Sequence, residues 1–479
     1  MPDTQRTLAA LQALLADNVA QNVSPQDVRD FLVSAYPVSL NAKNEGAVGD
    51  DTADDTAKLQ SIVTTLRTTP GDMIIPAGTY KITAPIDLGA INQRRIRGQG
   101  RSVTVIKQYT DNVPIFRANV ADTHTITLED MELAYNTQQS AAQTGAIAVY
   151  ITNPGSAYFW HVNRVVIRNA NTGIGTSAAL APFWSSHFSN IRIVGITLRG
   201  IDLVTASGLP SNTFNMIVIN NTNLATVATG EAFRVSAASG SVVNGLDIED
   251  WKNQVIHVFG GSTIVFNGLH LERIDIDTDF SSVIRVSDEG SCQINQFDLL
   301  ALDVNVATAG FIFNVAGADA RLIVAGLKAS TVTLTSGICR LLTAGSTPKQ
   351  IAFVDEPILD SDVSVPATAD NARDAITQYG AMNTEIISTL TPDSATPSVA
   401  AGNIFKTANT VPTTYTNFTN SIEGQTIKVI FGDSNTTVDF TASNLKGNAG
   451  VDWSPAIDDH MTCIFDGTNW FCDISDNTV

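Results

Sequence analysis

From about residue 128 to residue 330 the chain repeats one six-residue phrase: apolar, polar, small or polar, apolar, any, apolar. The clear copies are Val162–Ile167, Phe188–Ile193, Phe214–Ile219, Val243–Ile248, Phe266–Leu271 and Ile294–Leu299, with weaker ones at Leu128–Leu133 and Val324–Ala329. Their last apolar residues stand at 133, 167, 193, 219, 248, 271, 299 and 329, so the steps are 34, 26, 26, 29, 23, 28 and 30 residues. Such a period, with one alternating apolar strand per copy, marks a solenoid whose units stack to bury their apolar sides. Leucine-rich repeats would need leucine at fixed spacings, and a propeller blade needs about 40 residues. Ile, Val and Phe at a variable step fit a parallel β-helix, in which extra residues become turns projecting from a corner. Asn in the second slot (Asn163, Asn215, Asn244, Asn267, Asn295) is expected to form that corner, since Asn accepts left-handed backbone geometry.

Charge narrows the partners. Against 47 Asp and Glu stand 28 Lys and Arg, a net charge of −19. A chain this acidic does not hold phosphate backbones or anionic membranes by counterion release. Nucleic acid is therefore not an expected partner, and polyanionic glycans are disfavoured except over a local basic patch. The first thirty residues hold no basic stretch followed by an apolar run, and no segment reaches about 18 consecutive apolar residues. Neither a secretory signal nor membrane insertion is expected. Four cysteines are too few for a disulfide scaffold. Cys292 and Cys339 read as small buried residues. Cys463 and Cys472 flank Asp466-Gly467-Thr468-Asn469, and a two-residue turn there pairs 463 with 472 across a hairpin. Their Cα atoms are then expected to lie within disulfide reach, roughly 4.4–6.8 Å apart, whether reduced or bonded.

Three regions follow one another. Residues 1–40 read as helical: Thr7–Leu15 has one apolar face, and Ser24-Pro25-Gln26-Asp27 supplies an N-cap serine, a proline at the first helical position and an acid in the first turn. Two short helices cannot form a core, so this segment is expected to dock on a partner. The β-helix body spans 41–383, with a capping helix near 54–68. There Asp54 caps and Ala57, Leu59 and Ile62 face the open end of the solenoid. Residues 384–479 read as a small β-sandwich-like domain, entered through a Pro- and Thr-rich stretch.

The start of the body carries a more specific text: Asn44-Glu45-Gly46-Ala47-Val48-Gly49-Asp50, Asp54-Asp55-Thr56-Ala57-Lys58-Leu59-Gln60, Ile75-Pro76-Ala77-Gly78-Thr79-Tyr80 and Ile96-Arg97-Gly98-Gln99-Gly100. This closely resembles the opening of the pectate-lyase-like right-handed, single-stranded parallel β-helix superfamily. The tail, with Gly424–Phe431, Met461–Phe465 and Trp470–Cys472, resembles the small β-domains of phage tail fibres and spikes. Residues 24–36 are similar to a short segment of phage structural proteins. No catalytic residue transfers. The asparagine–aspartate, paired-aspartate and glycine–histidine–glycine motifs of the polygalacturonases are missing, and Arg273-Ile274-Asp275 only grazes their arginine–lysine motif. No calcium-and-arginine constellation of the pectate lyases is legible either.

Chemistry has to be sought in the outward columns. Between the last two apolar residues of each copy stand Glu132, Val166, Arg192, Val218, Asp247, His270, Asp298 and Lys328. Just after them stand Ala134, Arg168, Val194, Asn220, Glu249, Glu272, Leu300 and Ser330. Successive coils stack about 4.8 Å apart, so Asp247, Glu249, His270, Glu272 and Asp298 gather on one patch, with Asp250 and Trp251 at its edge. Stacked like charges destabilise a sheet, so a fold that keeps them is a candidate for using them. Neighbouring carboxylates drive their pKa values apart into acid and base roles. Glu249 and Glu272, one coil apart, suit a retaining glycosidase pair, and Asp247 and Asp298, two coils apart, suit an inverting one, with His270 assisting. A solvated, solubilising face is the competing explanation. Trp251, Trp160, Trp184 and Asp250 are the candidate sugar contacts. Asp275-Ile276-Asp277-Thr278-Asp279 lacks the Gly and distal Glu of a calcium loop and reads as a charged turn. No metal or cofactor is expected.

These observations lead us to expect a bacteriophage tailspike or tail-fibre protein that recognises a bacterial surface polysaccharide and depolymerises it by hydrolysis. Its expected place is the virion tail, joined to other tail proteins through residues 1–40 and assembled as a homotrimer. The competing expectations are a fibre that binds without cleaving, and a bacterial polysaccharide lyase or hydrolase unconnected to a virion.

Overall fold

A computed structural model describes residues 39–120, 123–152, 155–177, 182–205, 208–221, 230–279, 281–316, 319–342, 350–353, 363–364, 387–400, 402–421 and 423–476, together with Val28. The expected helices of residues 1–40 lie outside these, apart from Val28. The repeats form a parallel β-solenoid of about 13 turns, and the copies of the phrase stack residue on residue. Phe188 pairs with Val162 and Phe214, Val243 with Phe214 and Phe266, and Ile294 with Phe266 and Val324. A second parallel ladder joins Phe116–Ala118, Ile147–Ile151, Thr172–Thr176, Arg199–Leu203, Phe233–Ser236, Ile256–Phe259 and Ser282–Ser287. A short third one joins Thr123–His124, Ala157–Tyr158 and Phe183–Trp184.

One continuous apolar core runs up the inside, from Ala42 to Cys339. Phe188 and Phe214 stack in it at 5.0 Å. Each fully buried side chain of this kind contributes about 1.5–3 kcal/mol, and because every coil covers its neighbours the sum is available only to the stacked array.

Two corners bound the six-residue phrase. Arg164, Asn190, Met216, Gly245, Gly268, Gln296 and Gly326 all have φ between 52° and 73°. Asn169, Gly195, Asp250, Arg273, Ala301 and Thr331, five residues beyond six of them, have φ between 54° and 66°. The left-handed residue is thus the third slot, not the second as the sequence suggested. The second-slot side chains have a different task. Asn244 donates to Asn215 Oδ1 (2.7 Å), Asn267 to Asn244 (2.8 Å) and Asn295 to Asn267 (2.8 Å). They bond from coil to coil while their neighbour takes the turn.

The helix Thr56–Leu66 buries Leu59, Ile62, Val63 and Leu66 in the first coils. Ala57 is exposed, contrary to expectation, since it lies on the opposite side of the helix. The N-cap position falls to Asp55, whose carboxylate instead accepts the Val48 and Gly49 N–H groups (2.6 and 3.0 Å) and ties down the preceding loop. Asp54 accepts the Thr56 N–H (2.9 Å), which is how it still serves the first turn.

The second unit has its own core, from Leu390 to Cys472. It is built on a six-stranded sheet and a two-stranded one. Strands His460–Phe465 and Trp470–Ser475 form the expected hairpin, and Cys463, facing Cys472, is disulfide-bonded to it. Their Cα atoms are 4.0 Å apart, below the expected range. Asp466 N–H bonds the Asn469 carbonyl (3.0 Å), so counting back along the ladder makes Cys463–Cys472 a non-hydrogen-bonded pair, where Cα atoms approach to about 4.5 Å. Cys292 and Cys339 are buried thiols. Among the described residues no helix is long and apolar enough to cross a membrane.

Candidate functional site

The two outward columns align as the repeat implies. Asp247 pairs with His270 and His270 with Asp298, while Glu249 pairs with Glu272 and Glu272 with Leu300. The strands that carry them lie between the two left-handed corners, so the alternation that buries Leu246, Ile248, Leu269, Leu271, Phe297 and Leu299 turns the charged residues outward. In the first coils the same columns are covered: Glu132, Ala134 and Val166 are buried, and Glu132 accepts from Arg168 (2.9 Å) and Ser102 (2.7 Å).

Arg273 organises the patch, and sequence reasoning missed it. Held in the left-handed region at the corner, its guanidinium meets Asp250 at 2.7 Å, Glu249 at 2.9 Å and also Glu272. The hydrogen bonds to Asp250 and the surrounding carboxylates raise its pKa, so it stays charged. One guanidinium therefore screens the two facing glutamates from each other. The available signal was positional, since an Arg at a corner slot is one residue beyond an outward carboxylate column.

His270 sits between carboxylates without a close bond to either, Nδ1 3.6 Å from Asp298 and Nε2 3.6 Å from Glu272. Asp247 differs from the others. Burial, and next the charge of Glu249, push its carboxyl above the usual range. Its Oδ1 is enclosed with no hydrogen-bond partner, as is Asp298 Oδ1. The patch thus holds one carboxyl biased toward the neutral acid beside two glutamates bonded to Arg273.

The tryptophans sort differently from expectation. Trp251 and Trp160 are fully buried, with Nε1 donating to the Gly230 and Thr123 carbonyls (3.0 and 3.3 Å), so neither offers a ring face to a sugar. Each follows a left-handed corner residue, Asp250 or Phe159. The corner resets the alternation and turns the next side chain inward. Trp251 heads a buried column with Ile274, Leu302 and Val332. Trp184 alone of the three is partly exposed, stacked on Tyr158 at 4.9 Å. Asp250 is tied to Arg273. In the acidic run after it, Asp277 accepts from Asn253 (2.7 Å) and Asp279 from the Thr308 N–H (2.7 Å), as a turn requires.

A second ionic cluster lies on the second ladder and was not legible as a motif. Arg199 bonds Glu231 (3.0 Å), Arg234 bonds Asp202 (2.7 Å), and His257 lies 3.3 Å from Glu231. Burial disfavours the Glu231 carboxylate, but the His257 hydrogen bond and the charges of Arg199 and Arg234 outweigh it and bring its pKa down to about 2.

No family model and no curated protein matches the chain. Among solved structures it is similar to the enzymatically active domain of tailspike protein 2 of bacteriophage CBA120, with 11% identity and a TM-score of 0.44 over 92% of this chain and 70% of that one. It is also similar to the N-terminal fragment of bacteriophage Phi29 gene product 12, with 11% identity and a TM-score of 0.39 over 82% and 80%. The A-module of the mannuronan C-5 epimerase AlgE6 of Azotobacter vinelandii shares 13% identity and a TM-score of 0.38 over 71% and 98%. At these identities the likeness concerns the β-helix architecture alone.

Proposed function

We propose that the chain is the body of a bacteriophage tailspike or tail fibre that binds a bacterial surface polysaccharide and cleaves it by glycoside hydrolysis. Asp247 is the proton donor to the leaving oxygen, and Glu272 is the ionised partner that acts on the anomeric carbon or its attacking water. Arg273, which Glu249 also bonds, holds Glu272 in place, and His270 spaces it from Asp298. The observation that carries this reading is the split between Asp247, biased toward its protonated form, and the glutamates bonded to Arg273. The resemblance of residues 44–100 to the opening of polysaccharide-acting β-helices supports the substrate class, and the tail resemblance supports the virion.

Incubating the full chain with purified capsules and lipopolysaccharides and sizing the products tests it. Asp247→Asn and Glu272→Gln should each lower cleavage on the order of a hundredfold, with retention of the glycan unchanged. Full cleavage by both variants would refute the assignment. The reading carries a homotrimer with it, and a monomer in sedimentation at micromolar concentration would remove that part. One observation favours binding without cleavage: both glutamates are already occupied by Arg273. A glycan retained by the chain but left at full length would select that reading.

A further inference from the structure

Three coils before the acidic patch, one corner of the solenoid gathers aromatic and imidazole rings. His124, Tyr158 and Trp184 occupy equivalent positions on the third ladder and stack at 4.8 and 4.9 Å, 8° and 22° from parallel. Phe159 follows Tyr158 and stands at 80° to it, 5.3 Å away, and 5.6 Å from Trp184. Since both faces of Tyr158 are covered by its stacking partners, Phe159 meets its edge. The far side of the Phe159 ring is left to solvent, in keeping with 43% exposure. Around the corner, exposed His161 and His187 lie 5.0 Å apart. Three of the six histidines of the chain thus fall in this region.

Phe159 is the informative residue. Its slot is left-handed, φ 56°, as are the equivalent Thr125, Ser185 and Ser211. The neighbouring coils fill it with small hydroxyl residues. This backbone region is strained for a bulky side chain, and here the strain is not offset by burial. Such an outlier, an exposed aromatic where folding favours Ser, points to a surface kept for contact.

The chemistry of the six rings selects the partner. None carries a permanent charge, and burial with the neighbouring His187 lowers the pKa of His161, favouring its neutral form. With a net charge of −19, the chain as a whole does not attract a polyanion. Flat rings with amphipathic edges (a phenol, an indole and imidazoles) suit a partner that is apolar on one side and hydroxylated at its rim. We infer that Phe159 and Trp184, backed by Tyr158 and flanked by His124, His161 and His187, form a second carbohydrate-binding site that takes the apolar face of uncharged pyranose rings. This rests on the polysaccharide reading above and adds the class of sugar. Trp184 lies about two coils from Asp247 along the axis, roughly 10 Å at the stacking distance, and the corners at Ser185 and Asn190 separate the two places around the coil.

The five tryptophans make the test direct. Trp160, Trp251, Trp453 and Trp470 are buried, and Trp184 is the one that solvent reaches. Acrylamide quenching of tryptophan fluorescence in the full chain therefore reports on Trp184. The probes are the capsule and lipopolysaccharide preparations retained by the chain, sorted into uncharged and uronate-bearing glycans. An uncharged glycan should protect Trp184 from quenching, and Phe159→Ser should weaken its retention about tenfold or more. That variant restores the residue found at the slot in neighbouring coils, so it is expected to fold at least as well. Retention of a glycan without protection of Trp184, protection by uronate-bearing glycans alone, or unchanged retention by Phe159→Ser would each overturn this inference while leaving the polysaccharide reading in place. Retention of no glycan by the unaltered chain would overturn both.

Discussion

Glu249 faces Glu272 across a single rung of the ladder, and the guanidinium of Arg273 bonds to both. Two like charges directly opposed would destabilise the pair of strands; the arginine one residue on converts the repulsion into a bridge.

Removing that bridge should expose the repulsion. Arg273 has a left-handed backbone, so Arg273→Asn, which tolerates that geometry, isolates the charge effect from backbone strain. Its side chain is 44% exposed, and the loss should be modest, about 0.5–1 kcal/mol at low ionic strength. Molar salt screens the glutamates and should narrow the deficit. Thermal melts at both salt levels check this, and a salt-independent deficit would mean that packing, not charge, is what Arg273 supplies.

Asp247 makes an opposite prediction about pH. Its folded carboxyl titrates above the unfolded value, so the folded state binds the proton more tightly than the unfolded one. The stability it contributes is present below the unfolded pKa, about 3.9, and is lost as pH rises through the raised folded value. Asp247→Asn should therefore melt higher than the parent at pH 7, with the advantage disappearing toward pH 3.5. An advantage of equal size at both pH values would contradict the raised pKa.

Glu231 runs the other way. With its folded pKa down to about 2, it contributes stability above its unfolded pKa, about 4.3, that is lost as pH falls toward 2. The shift corresponds to on the order of 3 kcal/mol at pH 7. Glu231→Gln should be destabilised by that order at neutral pH, in denaturant titrations, and by progressively less as pH drops below 4.

The Cys463–Cys472 bond closes a loop with a sequence separation of 9. A loop so short stabilises by about 2–3 kcal/mol. Because the two cores are separate, reduction should lower the melting transition of the C-terminal unit and leave that of the solenoid in place. A shift of both transitions in calorimetry would show them to be coupled.

What could be read from the residues followed what repeats. The phrase from Val162 to Leu299 exposed the strands, their stacking and the columns from Asp247 to Asp298, because alternation within a strand and equivalence between coils are both periodic. Corners break that logic. At Asp250 and Phe159 the left-handed residue changes which side the chain faces, so Trp251 and Trp160, which counting along the strand left undecided, are core residues. Arg273 escaped for the same reason: its value lies in contacts to the preceding coil, which depend on corner geometry and not on spacing. The cluster of Arg199, Asp202, Glu231 and His257 sits on the second ladder, whose strands vary too much in sequence to be aligned by eye. The Cys463–Cys472 pairing was legible because a two-residue turn determines register by itself.

The paired corners have a consequence for how such a molecule changes over time. Six coils keep them five residues apart, from Arg164 to Asn169 through Gly326 to Thr331, although the coils themselves step by 23 to 34 residues. The variation in length falls on the other sides of these coils, leaving one facet of constant width. That facet works like a printing block with fixed type size: its outward letters can be exchanged, Arg192 for Asp247 for His270, without altering the spacing at which a partner reads them.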